Sequence, residues 1–282
     1  MNIGIIGAGK VGVSVGRYLK ENNIQIAGFY DINCDNAVFA AQFTETDCFS
    51  ELKELVMVSD TLFITTPDTV IGSVWDCIKN NMSVQNKIVC HFSGALSSDV
   101  FTDSQSTGAG VCSIHPMLAF SDKLTSYRIP ANTFFALEGD ETAVSALKSL
   151  FESLGNIVCR IDKSKKSLYH TAASVLSNEL VAVLDMGYSL LEECGFSRDE
   201  AVKATHNLVL GNVNSVLENG CVKALTGPVE RNDLQTVKKH VESLKGEDRQ
   251  IYILLAKRLV NLAKAKNEDR DYGEMSEFLD LS

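Results

Sequence analysis

Short apolar runs recur through the first half of the chain, and each is followed by a stretch in which apolar residues return at helical spacing. Ile3-Gly4-Ile5-Ile6 predicts a strand, residues 11–22 a helix, and Ile24-Gln25-Ile26-Ala27-Gly28-Phe29-Tyr30 a second strand. The alternation goes on with helices over 36–42 and 50–56, a strand over 61–66 and a helix over 68–80. Strands over 87–92, 110–115 and 133–137, a helix over 141–154 and a strand over 156–161 complete it. Strands alternating with helices predict an α/β fold with a doubly wound, mostly parallel sheet. Past Asp162 the spacing is helical throughout, over 167–193, 198–219, 234–244 and 248–265. The change predicts a doubly wound α/β domain over 1–162 and an all-α domain over 163–282. Gly195 can end one helix, Ser197-Arg198-Asp199-Glu200 reads as a capping box for the next, and Asp233 as a cap. Gly220 and Gly246 read as stops, and the polar, acidic 267–282 as a surface appendage.

Composition narrows the function. At 282 residues, 45% hydrophobic and 22% charged, the chain is long enough for a sizeable core and unlike a disordered one. Its 26 basic and 36 acidic residues give a net charge of −10 with no basic stripe, which argues against nucleic acid and for small ligands. No leader precedes the first strand and no apolar run is long enough to cross a bilayer, so the expected location is the cytoplasm, away from membranes. The eight cysteines are scattered without a CxxC pair, so neither a disulfide framework nor a metal site is expected. Cys90, Cys112 and Cys159 fall in strand-like runs and are expected in the core.

The sharpest motif is Gly7-Ala8-Gly9-Lys10-Val11-Gly12, set between the first strand and the first helix. In that context Gly7 permits a tight turn, Gly9 lets a pyrophosphate approach the backbone, and Gly12 lets helix pack close to strand. The helix N-terminus then offers free N–H groups to phosphate. Asp31, at the end of the second strand, is placed to accept ribose hydroxyls and repel a 2′-phosphate, and no Arg or Lys follows over 32–37. NAD is therefore favoured, with NADP as the other choice. Asp31 could instead serve the turn, as Asn33 and Asp35 could.

Cofactors bind at the carboxyl ends of parallel strands. Three such ends carry small or polar residues: Thr65-Thr66-Pro67-Asp68, His91-Phe92-Ser93-Gly94 and His115-Pro116. Thr66, Pro67, Ser93 and Gly94 are candidates for the cofactor and His115 for the substrate, although Asp68 could cap its helix and each His could bind a backbone carbonyl. On the predicted helix over 167–193, His170, Ser174, Ser177, Asn178 and Asp185 share one stripe of a segment apolar nearly all round, which reads as a buried helix beside a ligand cleft or another helix. His170 can move a proton near neutral pH, Ser177 and Asn178 can hold a substrate oxygen, and Ser174 can contact the substrate. Arg231, in the turn Gly227-Pro228-Val229-Glu230-Arg231-Asn232-Asp233, could fork to a substrate carboxylate or pair with Glu230 or Asp233.

These residues resemble the Rossmann-like proteins whose C-terminal half is catalogued as domain of unknown function 2520. The resemblance covers essentially the whole chain. It rests on the glycine motif, Pro67-Asp68, His91-Phe92-Ser93-Gly94-Ala95 and Ser113-Ile114-His115-Pro116 with Phe120. In the second half it rests on Tyr169-His170, Ser177-Asn178, Ala224-Leu225-Thr226-Gly227-Pro228, Arg231, Asp233 and His240. The family is similar in architecture to pyrroline-5-carboxylate reductase, ketopantoate reductase and the 6-phosphogluconate and β-hydroxyacid dehydrogenases, and its N-terminal half to coenzyme-F420-dependent NADP oxidoreductases. The β-hydroxyacid dehydrogenases use a Lys and an Asn on the first long helix of the second domain, and His170 stands near where that Lys is expected, with Asn178 beyond. This chain also has Asn232 where relatives commonly have Gly, and Asp31 where NADP enzymes have a basic residue or Ser. The resemblance implies hydride transfer between a nicotinamide cofactor and a small carbonyl, hydroxy-acid or imine substrate, in a homodimer joined through the helical domain. The alternative is a non-catalytic dinucleotide sensor or scaffold, suggested by the absent Lys.

Overall fold

The computed structural model describes residues 1–129 and 132–282. It forms two compact units, 1–177 and 178–282. In the first, strands β1 (Ile3–Ile6), β2 (Ile26–Tyr30), β3 (Asp47–Cys48), β4 (Thr61–Ile64), β5 (Ile88–His91), β6 (Gly110–Pro116), β7 (Phe134–Gly139) and β8 (Ile157–Arg160) make one sheet in the order β3-β2-β1-β4-β5-β6-β7-β8. All neighbours are parallel except β6 and β7, with Ile114 opposite Leu137. Helices α1 (Lys10–Glu21), α2 (Cys34–Thr44), α3 (Leu52–Val58), α4 (Asp68–Asn81), α5 (Ser104–Thr107) and α6 (Glu141–Ser153) connect them. The expected doubly wound arrangement is thus present.

Strands buried on both faces need continuous apolar runs, and β1 and β4 are buried at every position. Val13, Leu19, Leu147 and Phe151 of α1 and α6 cover one face. Leu55, Val56, Ile71, Trp75 and Ile78 of α3 and α4 cover the other. Connections from β1 leave to one side and those from β4 to the other, so a crevice opens at the carboxyl ends of β1 and β4.

Helix α7 (Lys166–Glu193) begins in the first unit. The second unit contains its continuation with α8 (Arg198–Ala224), α9 (Leu234–Ser243), α10 (Gly246–Lys266) and α11 (Gly273–Leu281). The boundary residues act largely as expected. Gly195 takes φ +97° after α7, Ser197 and Glu200 form the capping box, and the Asp233 carboxylate accepts Thr236 N–H at 3.0 Å. Gly220 interrupts α8 at φ +78°.

Four expectations need correction. Residues 267–282 are no appendage: Tyr272, Met275 and Leu279 of the C-terminal segment are buried against Val260 and Ala263 of α10, because three apolar residues at helical spacing find a complementary stripe. Gly246 opens α10 at φ +53° and does not stop a helix. Cys159 is exposed, because β8 is an edge strand. Helix α7 is largely exposed within this chain, with Leu168, Val175, Leu176 and Val181 in solvent. Apolar composition all round therefore did not bury it. Among the described residues no helix is long and apolar enough to cross a membrane, and no group of ligating side chains could hold a metal ion.

Candidate functional site

The crevice at β1 and β4 is a cavity of about 440 Å³, lined by Gly7, Gly9, Asp31, Thr66 and Pro67 with an apolar wall that includes Ile32, Val70 and Val74. Gly7 has φ +103°, a conformation that L side chains rarely adopt. A Cβ on Gly12 would overlap the Gly7 carbonyl oxygen and Thr65 Oγ1, so only glycine lets α1 start this close to the strand. A Cβ on Gly9 would meet nothing, which leaves the turn's backbone open to a ligand. Gly9 caps α1 without a side-chain bond and no acid sits in the first turn beside Lys10 and Val11, so no carboxylate of the helix itself occupies its N-terminus.

Neighbouring side chains divide between holding the turn and facing the cavity. Thr65 Oγ1 donates to the Gly7 carbonyl at 2.7 Å. Thr66 lines the cavity, and its Oγ1 is buried without a hydrogen-bond partner among the described residues. Asp31 does both: Oδ2 accepts Ala8 N–H at 2.7 Å, Oδ1 accepts Asn33 N–H at 2.9 Å, and the carboxylate still lines the cavity. Four acceptor lone pairs leave capacity for a ligand hydroxyl. An open glycine backbone, an orphaned buried hydroxyl and an acid at the second strand's end together fit a dinucleotide.

A second cluster lies at the ends of β5 and β6 and the first turns of α7. Ser93 Oγ donates to Asp68 Oδ2 at 2.7 Å and accepts N–H from Ala95 and Leu96, so it organises the loop after β5. Asp68 does not cap its own helix; Pro67 occupies that position. His91 meets the carbonyl of Ser97 through Nε2 at 3.2 Å and accepts Ser93 N–H on Nδ1. Burial lowers its pKa to about 4, so it is a neutral structural imidazole. His115 instead places Nδ1 2.8 Å from Tyr169 Oη, and its pKa too is lowered to about 4, first by burial and then by the charge of Lys166. Gly94 sits against two imidazoles: a Cβ there would lie 2.5 Å from His170 Nδ1 and 2.8 Å from His115 Nε2. His170 Nδ1 is buried and has no partner among the described residues.

Lys166 is the residue that sequence reasoning missed. It is 2% exposed, and its Nζ donates to Ser113 Oγ at 2.6 Å and lies over the Tyr169 ring. Burial lowers its pKa to about 8. In the sequence it ends a lysine-rich stretch, 163–166, that reads as a solvated turn. The available signal was spacing: Lys166 and His170 are i and i+4, hence on one helix face.

Ser174 is half-buried, and Ser177 is exposed with Oγ donating to the Ala173 carbonyl at 2.8 Å. Asn178 is exposed at the start of the second unit. Arg231 is exposed in that unit, where the hydroxyl and N–H of Thr236, and after them the charge of Arg231, hold the Asp233 carboxyl below its ordinary pKa. Glu230 of the same turn is engaged by Asn267 and Arg270.

A model of a Rossmann-like domain matches residues 1–116, and one of a domain of unknown function, DUF2520, matches residues 133–259. No curated protein matches the chain. Among solved structures, a protein from Thermotoga maritima is similar at 24% identity with a TM-score of 0.75, covering 94% of this chain and 99% of that one. A Bacteroides fragilis protein described as a candidate NADP oxidoreductase is similar at 20% identity and 0.71, covering 92% and 98%. A pyrroline-5-carboxylate reductase from Coxiella burnetii is similar at 16% and 0.62, covering 94% and 98%. At these identities the likeness is one of fold. With the glycine turn, the open crevice and both domain models in agreement, this chain is a Rossmann-like protein carrying a DUF2520 domain.

Proposed function

We propose that the chain is an oxidoreductase that binds a nicotinamide dinucleotide on the Gly7 to Gly12 turn and acts on a small carbonyl, hydroxy-acid or imine substrate. The observation that carries this is the crevice itself: an open Gly9 backbone, the orphaned Thr66 hydroxyl and the Asp31 carboxylate around one cavity. When bound, the dinucleotide supplies or accepts the hydride. The residues at β5, β6 and α7 supply the rest. Lys166 Nζ, with a pKa of about 8, holds a proton at neutral pH yet can release it, as reduction and its reverse require. His170 stands one turn further along as a second proton-handling group. Ser113 orients the Lys166 ammonium.

The alternative of a sensor without turnover drew on an absent lysine; a buried lysine one turn before His170 removes that ground. The preference for NAD rests on Asp31 and on the absence of Arg or Lys over 32–37. The Bacteroides fragilis neighbour is described by NADP, which lends that preference no support. Arg231, free of the Glu230 network, is the candidate for an acidic substrate group. Exposed Leu168, Leu176, Val181, Leu208 and Leu217 favour a homodimer through the helical half, which sedimentation equilibrium checks.

Calorimetry of wild type and Asp31→Ala with NAD(H) and NADP(H) is the test. Binding of NAD(H) that weakens in the variant supports the reading. If neither dinucleotide binds, the reading loses its foundation.

A further inference from the structure

Four side chains of the first unit form one connected group. Ser113 and His115 are two residues apart on β6 and therefore project to the same face, where Lys166 meets the first and Tyr169 the second. The Tyr169 and His115 rings are nearly perpendicular, 5.6 Å between centroids, and the Lys166 ammonium lies 5.8 Å from the Tyr169 ring.

The direction of the Tyr169 to His115 bond decides what His115 offers. A neutral imidazole has one donor and one acceptor nitrogen. Burial raises the Tyr169 pKa to about 12, so its O–H is intact, and among the described residues His115 Nδ1 is its one recorded acceptor. Were Nδ1 the protonated nitrogen, that half-buried hydroxyl would lose its acceptor, a cost the other tautomer avoids. Tyr169 therefore donates to Nδ1, and the proton of His115 sits on Nε2, which points to the Gly94 position.

Donors dominate around this group. Lys166 spends one N–H on Ser113 and has two more. The carboxylates that act on Lys166 are engaged elsewhere: Glu138 accepts Ser98 N–H and O–H at 2.8 and 2.7 Å, and Asp68 accepts Ser93 O–H at 2.7 Å. The N–H donors of Lys166 and His115 stabilise an oxygen that gains negative charge better than a nitrogen that already carries a proton.

We infer that Tyr169 is a positioning residue that holds His115 as a standing Nε2–H donor beside Lys166, so that the site suits a carbonyl or alcohol oxygen and not a cationic imine. This rests on the oxidoreductase reading for the reaction, but the state of His115 does not. It would set the chain apart from the similar pyrroline-5-carboxylate reductase, whose name specifies a cyclic imine.

Two measurements on the full chain separate the claims. In the first, two-bond 1H–15N correlation of labelled histidines, with His115→Gln as the assignment control, should show Nε2 protonated and Nδ1 bare at neutral pH. Tyr169→Phe should let the Nδ1–H form appear without loss of fold by circular dichroism. A wild-type His115 that is charged, or protonated on Nδ1, overturns the inference. In the second, matched cyclic ketones and cyclic imines are compared at saturating dinucleotide. The ketone should be preferred, and Tyr169→Phe should lower kcat about 10- to 100-fold with a smaller effect on KM, as when an outer partner that orients a reacting group is lost. Preference for the imine overturns the inference. No turnover of either, with dinucleotide bound, defeats the oxidoreductase reading and the substrate preference together, while the state of His115 stands or falls on the spectrum.

Discussion

Replacing Lys166 by Met should make the protein more stable at neutral pH and less active. The side chains are similar in length, so packing is largely kept and the ammonium is removed. In the fold its pKa falls from 10.5 to about 8 because it is buried, which corresponds to about 3 kcal/mol of native-state cost while the group is charged. Below pH 8 both native and unfolded chains carry the proton and the full cost is felt. Between 8 and 10.5 the unfolded chain binds more protons than the native one, so wild-type stability rises with pH; above 10.5 both are neutral. Losing the charged bond to Ser113 offsets roughly 1 to 2 kcal/mol of the gain. Lys166→Met should therefore exceed wild type by about 1 to 2 kcal/mol at pH 7 and fall below it by a similar amount near pH 10.5. Trp75, the single tryptophan, is fully buried in the same unit, so its fluorescence in urea titrations reports the relevant unfolding. Taking the difference between variant and wild type cancels every other titrating group. A difference that stays flat across that range, or a variant already weaker at pH 7, would refute the assignment of a charged, desolvated Lys166.

Gly12→Ala should displace the glycine turn, costing about 1–3 kcal/mol, and abolish dinucleotide binding by calorimetry, because the new Cβ would overlap the Gly7 carbonyl oxygen. Met275→Ala should lower the stability of the second unit by about 2–5 kcal/mol in thermal melts; an unchanged melt would return residues 267–282 to the status of an appendage. His91 should make the fold acid-sensitive. Its native pKa of about 4 lies below the ordinary 6.5, so the unfolded chain takes up the proton first and stability falls as pH drops through that interval. His91→Gln should flatten the loss in urea titrations at pH 7 and pH 5.

The sequence alone determined the alternation of strands and helices, the helical second half, the capping box at Ser197 and the glycine turn. These are local properties: a fully buried parallel strand needs a continuous apolar run, and a turn residue at φ +103°, as Gly7 is, favours glycine. Asp31 could be located by its place at the end of β2, but its hold on Ala8 N–H could not. Tertiary structure decided the rest. Helix α7 has the composition of a buried helix and is exposed within this chain, whereas α11 reads as a polar tail and is packed, because burial depends on whether a complementary apolar stripe is at hand. Lys166 looks like the last of a solvated run until the ends of β5 and β6 close over it. Likewise no local pattern tells His91, which closes on a backbone carbonyl, from His115, which meets Tyr169. The difference lies in which distant side chain reaches each ring, and only the folded chain brings those partners together.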